Sequence, residues 1–193
     1  MSINTRTILR QRRRTLAPRQ QRLAATAIKH TLSQTLEFQQ ARRLAAYLCN
    51  DGEISPHAIM ADAEKRGKRT FLPVLHPVKE NRLYFLRHRP TTKLCKNRFG
   101  IAEPQLGSEP AAATWTLDII LLPLVGFDRQ GNRLGMGGGF YDRTLARLLH
   151  HKPGKRPVLI GLAHHCQEVM QLQAQHWDIP LDIIATDREI IRM

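Results

Sequence analysis

The run Leu117-Asp-Ile-Ile-Leu-Leu-Pro constrains the fold of this chain more than any other segment. It is apolar at consecutive positions, so both faces of the strand it forms have to be buried. Strands of this kind are typical of the centre of parallel sheets, which helices cover on both sides. The run therefore predicts an α/β fold with this strand in the middle of the sheet.

Shorter apolar runs flank this central strand and are separated by helical segments. Residues 43–49 predict a strand that ends in a turn, and residues 70–75 predict a second strand. Between them, Ser55 as N-cap and Pro56 at the first helical position begin a helix that stops at Gly67. Strand, helix and strand with short links form a parallel crossover unit. Further strands are predicted at 82–86, 157–163 and 181–185, a helix at 141–150, and an irregular surface loop at 91–113.

The N-terminal segment predicts two amphipathic helices. Apolar residues recur at helical spacing over 5–16 and over 19–35, and Pro18 separates the two stretches. The sequence contains no internal repeat and no low-complexity linker. We therefore expect a single three-layer α/β domain over 1–193, with a mostly parallel, Rossmann-like central sheet and a basic helical arm over 1–36 packing on it.

The charge of the chain is strongly basic and uneven. The net charge is +14, from 30 Lys and Arg against 16 Asp and Glu, and residues 1–36 carry +8 because no acidic residue precedes Glu37. Three hypotheses fit this charge: nucleic-acid binding, a solvated helix face, and a phosphate-rich small molecule. Aromatic residues make up only 6% of the chain, and no RRM, KH, homeodomain or zinc-finger pattern is present. Specific nucleic-acid binding is therefore not expected.

The expected location is the cytoplasm. No apolar run reaches the ~18 residues that a membrane span requires, and none follows the N-terminus as a secretory signal would need. The cysteines, Cys49, Cys95 and Cys166, show no C-x-x-C spacing, which favours free thiols in a reducing compartment. An arginine-rich, acid-free N-terminus also resembles a mitochondrial transit peptide, so that alternative stays open. A zinc site built from 164–166 and His176 matches no standard spacing.

Residues 122–143 form a glycine-rich link between the central strand and the following helix. Its closely spaced glycines are Gly135, Gly137, Gly138 and Gly139. Such glycines can adopt positive φ and turn amide N–H groups toward an anion at a helix N-terminus. The P-loop and G-x-G-x-x-G patterns are both absent, the latter because residue 140 is Phe. Arg133 could hold phosphate oxygens and Asp142 could bind Mg²⁺, whereas the alternative is a flexible turn.

The segment F-D-x-x-G-x-R-L-G-x-G-G-G-F-Y-D-R, from Phe127 to Arg143, resembles the signature of the 5-formyltetrahydrofolate cyclo-ligase family, also called 5,10-methenyltetrahydrofolate synthetase. Shorter similarities extend along nearly the whole chain. They are the helix with Arg6 and Arg10, the segments 46–54, 66–68, 71–75 and 100–104, and Trp177-Asp-Ile-Pro-Leu-Asp. The long motif is specific, while the shorter segments gain weight only beside it.

This resemblance implies a ligase that consumes ATP, with Mg²⁺ as cofactor. The substrate is 5-formyltetrahydrofolate, with or without a polyglutamate tail, and the products are 5,10-methenyltetrahydrofolate, ADP and phosphate. Transfer of the γ-phosphoryl group to the formyl oxygen would give an N5-iminium phosphate, which N10 then attacks. Such chemistry needs positioning and charge neutralisation more than covalent help from the protein. We expect the enzyme to be a monomer.

The resemblance also implies residue roles. ATP is expected to contact Arg6, Arg10, Arg133, Leu134, Gly135, Met136, Gly137, Gly138, Gly139, Phe140 and Tyr141. Folate is expected to contact Leu48, Glu53, Met136, Gly137, Gly138, Gly139 and Phe140. Catalytic roles fall to Arg133 and Tyr141, and the Mg²⁺ ligands would be Asp142 and Asp178. Glu53 would read the pterin N–H groups, and the ring of Tyr141 could stack on the pterin.

Several alternatives to these roles stay open. Glu53 could cap the helix that begins near Ser55, Asp142 could complement its helix dipole, and Tyr141 could belong to the core. Some family members carry a lysine where this chain has Gly138, so the cation that contacts the γ-phosphate is undecided. A different phosphate-handling α/β enzyme, a sugar-phosphate isomerase or a kinase-like transferase, would fit the same fold.

Overall fold

The protein is described from a computed structural model that covers residues 3–150, 154 and 156–193. Within these residues the α-helices are α1 (Ile3–Arg14), α2 (Pro18–Leu32), α3 (Leu36–Gln40), α4 (His57–Lys65) and α5 (Phe140–Leu145). The strands are β1 (Arg43–Ala45), β2 (Arg69–Leu75), β3 (Leu83–His88), β4 (Leu94–Lys96), β5 (Ala102–Pro104), β6 (Ala111–Ala112), β7 (Ile119–Pro123), β8 (Gly126–Phe127), β9 (Arg133–Leu134), β10 (Val158–Ala163), β11 (Ile183–Thr186) and β12 (Ile190–Arg192). Three 3-10 segments are Thr114–Thr116, Ala146–His150 and His165–Gln167.

The main sheet has the strand order β12-β11-β10-β7-β1-β2-β3-β6. Its five central strands, from β11 to β2, pair in parallel, while β12, β3 and β6 add antiparallel edges. Ile119 to Leu122 in β7 are buried, as their consecutive apolar side chains require. The predicted mostly parallel α/β sheet with this strand at its centre is confirmed.

Helices cover the sheet on both faces. One core cluster joins apolar residues of α2, α3 and α4 to the sheet, with Ile28, Phe38 and Ile59 almost fully buried. A second cluster contains Leu145 and Leu148 from α5 and the 3-10 segment that follows it. Helix α1 instead packs against the 3-10 segment His165–Gln167, at the end of β10. The basic arm is therefore divided, with α2 on the sheet face and α1 beside the strand ends.

Residues 91–113 differ from their prediction as an irregular loop, because they contain β4, β5 and β6. The side chain of Asn97 accepts hydrogen bonds from the amides of Phe99 and Ile101, and Gly100 adopts a φ of 74°. These residues make a tight turn that pairs β4 with β5. The prediction failed because these strands have only two or three residues, which is too short for an alternating apolar pattern to be recognised.

Two helices also differ in their limits. Helix α4 has Pro56 at the N-cap rather than Ser55, so it begins one residue later than predicted. The hydroxyl of Ser55 still accepts a hydrogen bond from the amide of His57 at 3.4 Å. The helix predicted over 141–150 is α-helical only as far as Leu145 and continues as a 3-10 segment. Spacing of three residues puts Leu145 and Leu148 on the same buried side.

Asp128 is a fully buried carboxylate that fixes the hairpin of β8 and β9. Its Oδ1 accepts from the amides of Gln130 and Asn132, both at 3.0 Å. Its Oδ2 accepts from the Asn132 side chain and from the amide of Leu172, both at 2.9 Å. Asp128 thus joins the glycine-rich segment to the chain before the last strands.

Substituting Asp128→Ala should lower the free energy of unfolding by about 3 kcal/mol, because several buried donors lose their acceptor. Urea denaturation followed by circular dichroism measures this change. The exposed Glu80 provides a control, and Glu80→Ala should stay within about 0.5 kcal/mol of the parent. A loss below about 1 kcal/mol for Asp128→Ala would mean that water replaces the carboxylate.

No helix among the described residues has the length and apolar character needed to cross a membrane.

Candidate active site

A cleft of 1380 Å³ lies at the carboxyl ends of the central parallel strands. Its walls are formed by the segments that follow β1 and β7, by the end of β2, and by residues 172–180. Ligands of open α/β sheets bind in this position, because the loops there converge at one edge of the sheet. The glycine-rich segment forms one side of the cleft.

The structure brings nearly all the predicted site residues to this cleft. Those that line it are Arg6, Leu48, Glu53, Arg133, Leu134, Gly135, Met136, Gly137, Gly138, Gly139, Phe140, Tyr141, Asp142 and Asp178. Arg10 is not among the lining residues. Its Nε donates to Asp51 Oδ2 at 2.8 Å, so its charge is directed to a carboxylate at the cleft edge. Contact of Arg10 with ATP stays a prediction.

The glycine-rich loop has a defined path. Gly137 and Gly139 adopt φ values of 100° and 64°, whereas Gly135 and Gly138 do not have positive φ. Two of the four glycines therefore use the positive φ that glycine allows. A Cβ at Gly138 would lie 2.7 Å from the Phe140 ring, so a larger residue there requires the ring to move. The lysine that some family members carry at this position would displace that ring.

Two arginines hold this loop from outside. Arg6 Nε donates to the carbonyl of Gly135 at 2.8 Å, and Arg143 Nη1 donates to that of Gly138 at 2.6 Å. Helix α5 has only six residues, so its dipole is small and the loop amides and arginines provide most of the positive potential. The loop and these cations together form a surface suited to phosphate oxygens.

Arg133 and Asp142 form an ion pair on the wall of the cleft. Arg133 Nη2 donates to Asp142 Oδ1 at 2.5 Å, and the amide of Ile179 donates to the same oxygen at 3.1 Å. The Arg133 side chain is 4% exposed. Its Nε is buried and has no hydrogen-bond partner among the described residues. The described residues therefore leave one buried donor of this guanidinium unpaired in the wall of the cleft.

The two predicted metal ligands fit Mg²⁺ in their chemistry. Among the described residues, the hydrogen bonds to Asp142 go to Oδ1, and Asp178 accepts one at Oδ2 from the amide of Gln175. Each carboxylate retains an oxygen for a hard cation. Mg²⁺ commonly takes one or two carboxylates and completes its shell with phosphate and water, so this donor set is sufficient.

Glu53, Tyr47 and Tyr141 also line the cleft. Burial raises the pKa of Glu53, although a hydrogen bond from the amide of Asn50 and the charge of Arg13 oppose the rise. Burial and the nearby Glu53 also raise the pKa of Tyr141 and of Tyr47, so both phenols stay neutral. Glu53 accepts from Asn50 within its own turn rather than capping α4. Its other oxygen lies 3.8 Å from Arg13 Nη2.

Several residues that line the cleft were not predicted from the sequence. Glu103 accepts from the amide of Leu75 at 3.1 Å and from the Asn97 side chain at 3.0 Å. Phe99 contacts the ring of Phe140 edge to face, with centroids 5.6 Å apart. All come from the segment that was predicted to be an irregular loop. The family-like segment 100–104 was the signal that could have found them.

The zinc alternative is not assembled. Among the residues that the structure describes, His165 lies beside Glu168 and Glu189, with ligand atoms within 4.8 Å, and not with Cys166 and His176. Arg129 donates to both of these carboxylates and offsets part of their negative charge. All three cysteines are free thiols.

Comparison with known proteins identifies the family. The model of the 5-formyltetrahydrofolate cyclo-ligase family matches residues 2–187. The chain belongs to this family. The 5-formyltetrahydrofolate cyclo-ligase of Haemophilus influenzae is 43% identical over 176 residues, which cover 91% of this chain and 92% of that protein. The cyclo-ligase of Escherichia coli K12 is 40% identical over 183 residues, 95% of this chain and 98% of its own.

A solved structure agrees with this assignment. The 5,10-methenyltetrahydrofolate synthetase of Aquifex aeolicus superposes with a TM-score of 0.79 at 29% identity, covering 98% of this chain and 91% of the other. The family catalyses the ATP-dependent cyclisation of 5-formyltetrahydrofolate, and its members are ligases. The prediction from the signature motif is confirmed. The hypotheses of an isomerase, a kinase-like enzyme and a nucleic-acid-binding protein have no comparable support.

Proposed function

We propose that this cleft binds ATP and 5-formyltetrahydrofolate side by side and closes the folate ring with release of ADP and phosphate. The observation that carries the proposal is the convergence of the phosphate-binding loop, the Arg133–Asp142 pair and Glu53 on one cleft. A volume of 1380 Å³ exceeds the 300–1,000 Å³ of usual small-molecule pockets, as two adjacent substrates require.

The first step is phosphoryl transfer to the formyl oxygen. This oxygen attacks the γ-phosphorus, the bond to the β–γ bridging oxygen breaks, and ADP leaves. Arg133, Arg6 and the amides of the glycine-rich loop neutralise the charge on the phosphate oxygens. The transfer converts the formyl oxygen, which is a poor leaving group as hydroxide, into a phosphate ester of an N5-iminium.

The second step is ring closure. N10 attacks the activated carbon and loses its proton, and the carbon–oxygen bond breaks to release phosphate. Glu53 accepts hydrogen bonds from the pterin N–H groups, and Leu48 with Met136 borders the ring. Neutral Tyr141 places its ring face beside the iminium, which an aromatic quadrupole stabilises. N10 attack and carbon–oxygen cleavage take place at the same carbon atom. The main task of the protein in this step is therefore to orient N10 toward that carbon.

Asp142 and Asp178 would hold Mg²⁺ in this enzyme. When bound, the cation supplies positive charge for the β- and γ-phosphate oxygens. Asp142 would then interact with both the cation and Arg133. Its interaction with the guanidinium would become weaker, so Arg133 could also donate to the γ-phosphoryl group. Removal of divalent cations with a chelator should abolish turnover, and added Mg²⁺ should restore it.

Three further properties belong to this proposal. The strong positive charge of the chain favours substrates with an anionic polyglutamate tail. The enzyme acts as a monomer. Three free cysteines suit the reducing conditions of the cytoplasm.

Near-ultraviolet absorbance tests the proposal, since the methenyl product absorbs there. The purified protein is mixed with 5-formyltetrahydrofolate, Mg²⁺ and ATP, and a parallel sample omits ATP. An absorbance rise that depends on ATP is expected. A flat trace from folded protein would contradict the proposal.

A further inference from the structure

Arg13 is a fully buried arginine that has no role in the proposed function. Its side chain is 0% exposed, although it lies in the most basic helix of the chain. A buried guanidinium is stable only where acceptors satisfy its donors. Its acceptors therefore identify what this residue holds in place.

Its hydrogen bonds go to two loops of the cleft. Nε donates to the carbonyl of Asp51 at 2.8 Å, and Nη2 donates to Asp51 Oδ2 at 2.9 Å. Nη1 donates to the carbonyl of Leu124 at 2.9 Å. Leu124 directly follows β7, and Asp51 lies in the turn after β1. Arg13 thus fastens the ends of two neighbouring central strands to one another.

The turn Asn50–Glu53 depends on such fastening. Asp51 and Gly52 both have positive φ, 53° and 75°, and the turn is closed by a hydrogen bond from the Glu53 amide to the Asn50 carbonyl. Asp-Gly is a favoured pair for a turn with two positive φ values, and the left-handed aspartate still carries a modest cost that contacts such as those of Arg13 offset. Gly52 packs closely on Arg13. A Cβ at position 52 would lie 3.4 Å from the Arg13 carbonyl oxygen.

Helix α1 presents three arginines to the cleft edge on one face. Arg6, Arg10 and Arg13 are spaced by four and three residues, which places them on the same side of a helix. Arg6 contacts the glycine-rich loop, and Arg10 contacts the turn that carries Glu53. Arg13 contacts that turn and also lies 4.0 Å from Met136 Sδ of the loop through its Nη2. The helix therefore links the loop proposed for ATP to the turn proposed for folate.

We propose that Arg13 is a positioning residue that sets the place and orientation of Glu53 for folate binding. This inference rests on the proposed function, in which Glu53 reads the pterin. Arg13 itself touches neither substrate, and it acts through the turn and through its charge 3.8 Å from the Glu53 carboxylate.

The charges that face Glu53 predict a distinctive pH dependence. Burial raises the pKa of Glu53, the cation of Arg13 lowers it, and the carboxylate of Asp51 raises it. Tyr47 and Tyr141 also face Glu53, and both are neutral because their own pKa values are raised. Loss of Arg13 should therefore raise the pKa of Glu53, and loss of the Asp51 charge should lower it. Folate binding through ionised Glu53 is lost as the pH falls through this pKa.

The test compares Arg13→Gln with Arg12→Gln, a matched loss of one positive charge from an exposed position of the same helix. For Arg13→Gln we expect KM for 5-formyltetrahydrofolate to rise at least about tenfold, since a hydrogen-bonded buried charge is lost. KM for ATP should change less than about threefold. The acid limb of kcat/KM for folate should move to higher pH. Arg12→Gln should match the parent in all three measurements.

Two further variants keep the proposal testable if Arg13→Gln does not fold. Arg13→Lys retains the cation, so its acid limb should stay at the parent pH while KM for folate rises. Asp51→Asn should also raise KM for folate, but its acid limb should move to lower pH.

Acid limbs that move to higher pH in Arg13→Gln and to lower pH in Asp51→Asn would support the positioning role. A residue with a purely structural role would leave both acid limbs at the parent pH. Equal increases of both KM values, or acid limbs that stay fixed, would overturn the inference. Failure of the parent protein to form the methenyl product would instead overturn the proposed function.

Discussion

Replacing Arg133 by alanine is expected to lower kcat by about 10²- to 10³-fold, the usual effect of removing one preorganised donor from a transition state. The guanidinium is nearly buried and has an unpartnered Nε in the cleft wall, so water cannot replace it easily. Because it acts on charge that develops during phosphoryl transfer, KM for folate should change little. Rates follow from methenyl absorbance under saturating ATP.

Variants of the Arg133–Asp142 ion pair distinguish a loss of catalysis from a loss of stability. Asp142→Asn should also lower kcat by about 10²-fold or more, since it removes a proposed Mg²⁺ ligand. If the ion pair served only stability, the double variant would recover activity, because no buried charge would be left unpaired. We expect the double variant to be at least as inactive as either single variant, with near-parent circular dichroism. Near-normal turnover by both single variants would refute the site assignment.

Glu53→Gln is expected to raise KM for 5-formyltetrahydrofolate by about 10- to 100-fold, because a charge-assisted acceptor becomes a neutral amide with one donor end. KM for ATP should stay close to that of the parent. The pKa of Glu53 is raised by burial, so in the parent folate binding weakens as the pH falls through this raised pKa and recovers above it. The variant should lose this acid limb, since glutamine does not titrate.

The measurement for Glu53 is kcat/KM for folate across the pH range at saturating ATP. Glu80→Gln at an exposed position is the control and should reproduce the parent profile. An unchanged acid limb in Glu53→Gln would assign that titration to another group, and an unchanged KM would remove Glu53 from the folate site.

The sequence predicted the centre of the sheet and the glycine-rich side of the cleft because both are encoded locally. The apolar run in β7 excludes an exposed face, and four glycines beside Arg133 and Asp142 exclude most ordinary loops. Parallel topology then follows from short crossovers, and it brings the strand ends together at one edge. The residues of the glycine-rich segment that line the cleft could therefore be named before their contacts were known, whereas Phe99 and Glu103 could not.

The roles of individual cations could not be read in the same way. Seven arginines precede Glu37, and composition does not distinguish the buried Arg13 from the exposed Arg12. The acceptors of Arg13 lie at Asp51 and Leu124, so only the tertiary fold pairs them. The spacing of Arg6, Arg10 and Arg13 on one helical face was a signal that could have been used.

The segment 91–113 shows a second limit. Its turn residues, Asn97 and Gly100, signal a hairpin, yet its strands are too short and polar for periodicity to detect. Glu103 is buried there because the amide of Leu75 in β2 supplies a donor. Partners this far apart in sequence leave no local pattern.

The most direct measurement follows an oxygen atom. The substrate 5-formyltetrahydrofolate is labelled with oxygen-18 in its formyl group, and the phosphate released during turnover with ATP and Mg²⁺ is analysed by mass spectrometry. Phosphoryl transfer to the formyl oxygen predicts that the label appears in inorganic phosphate, in step with methenyl formation. Unlabelled phosphate, with the label lost to water, would contradict the central claim that this cleft couples ATP to ring closure through the formyl oxygen.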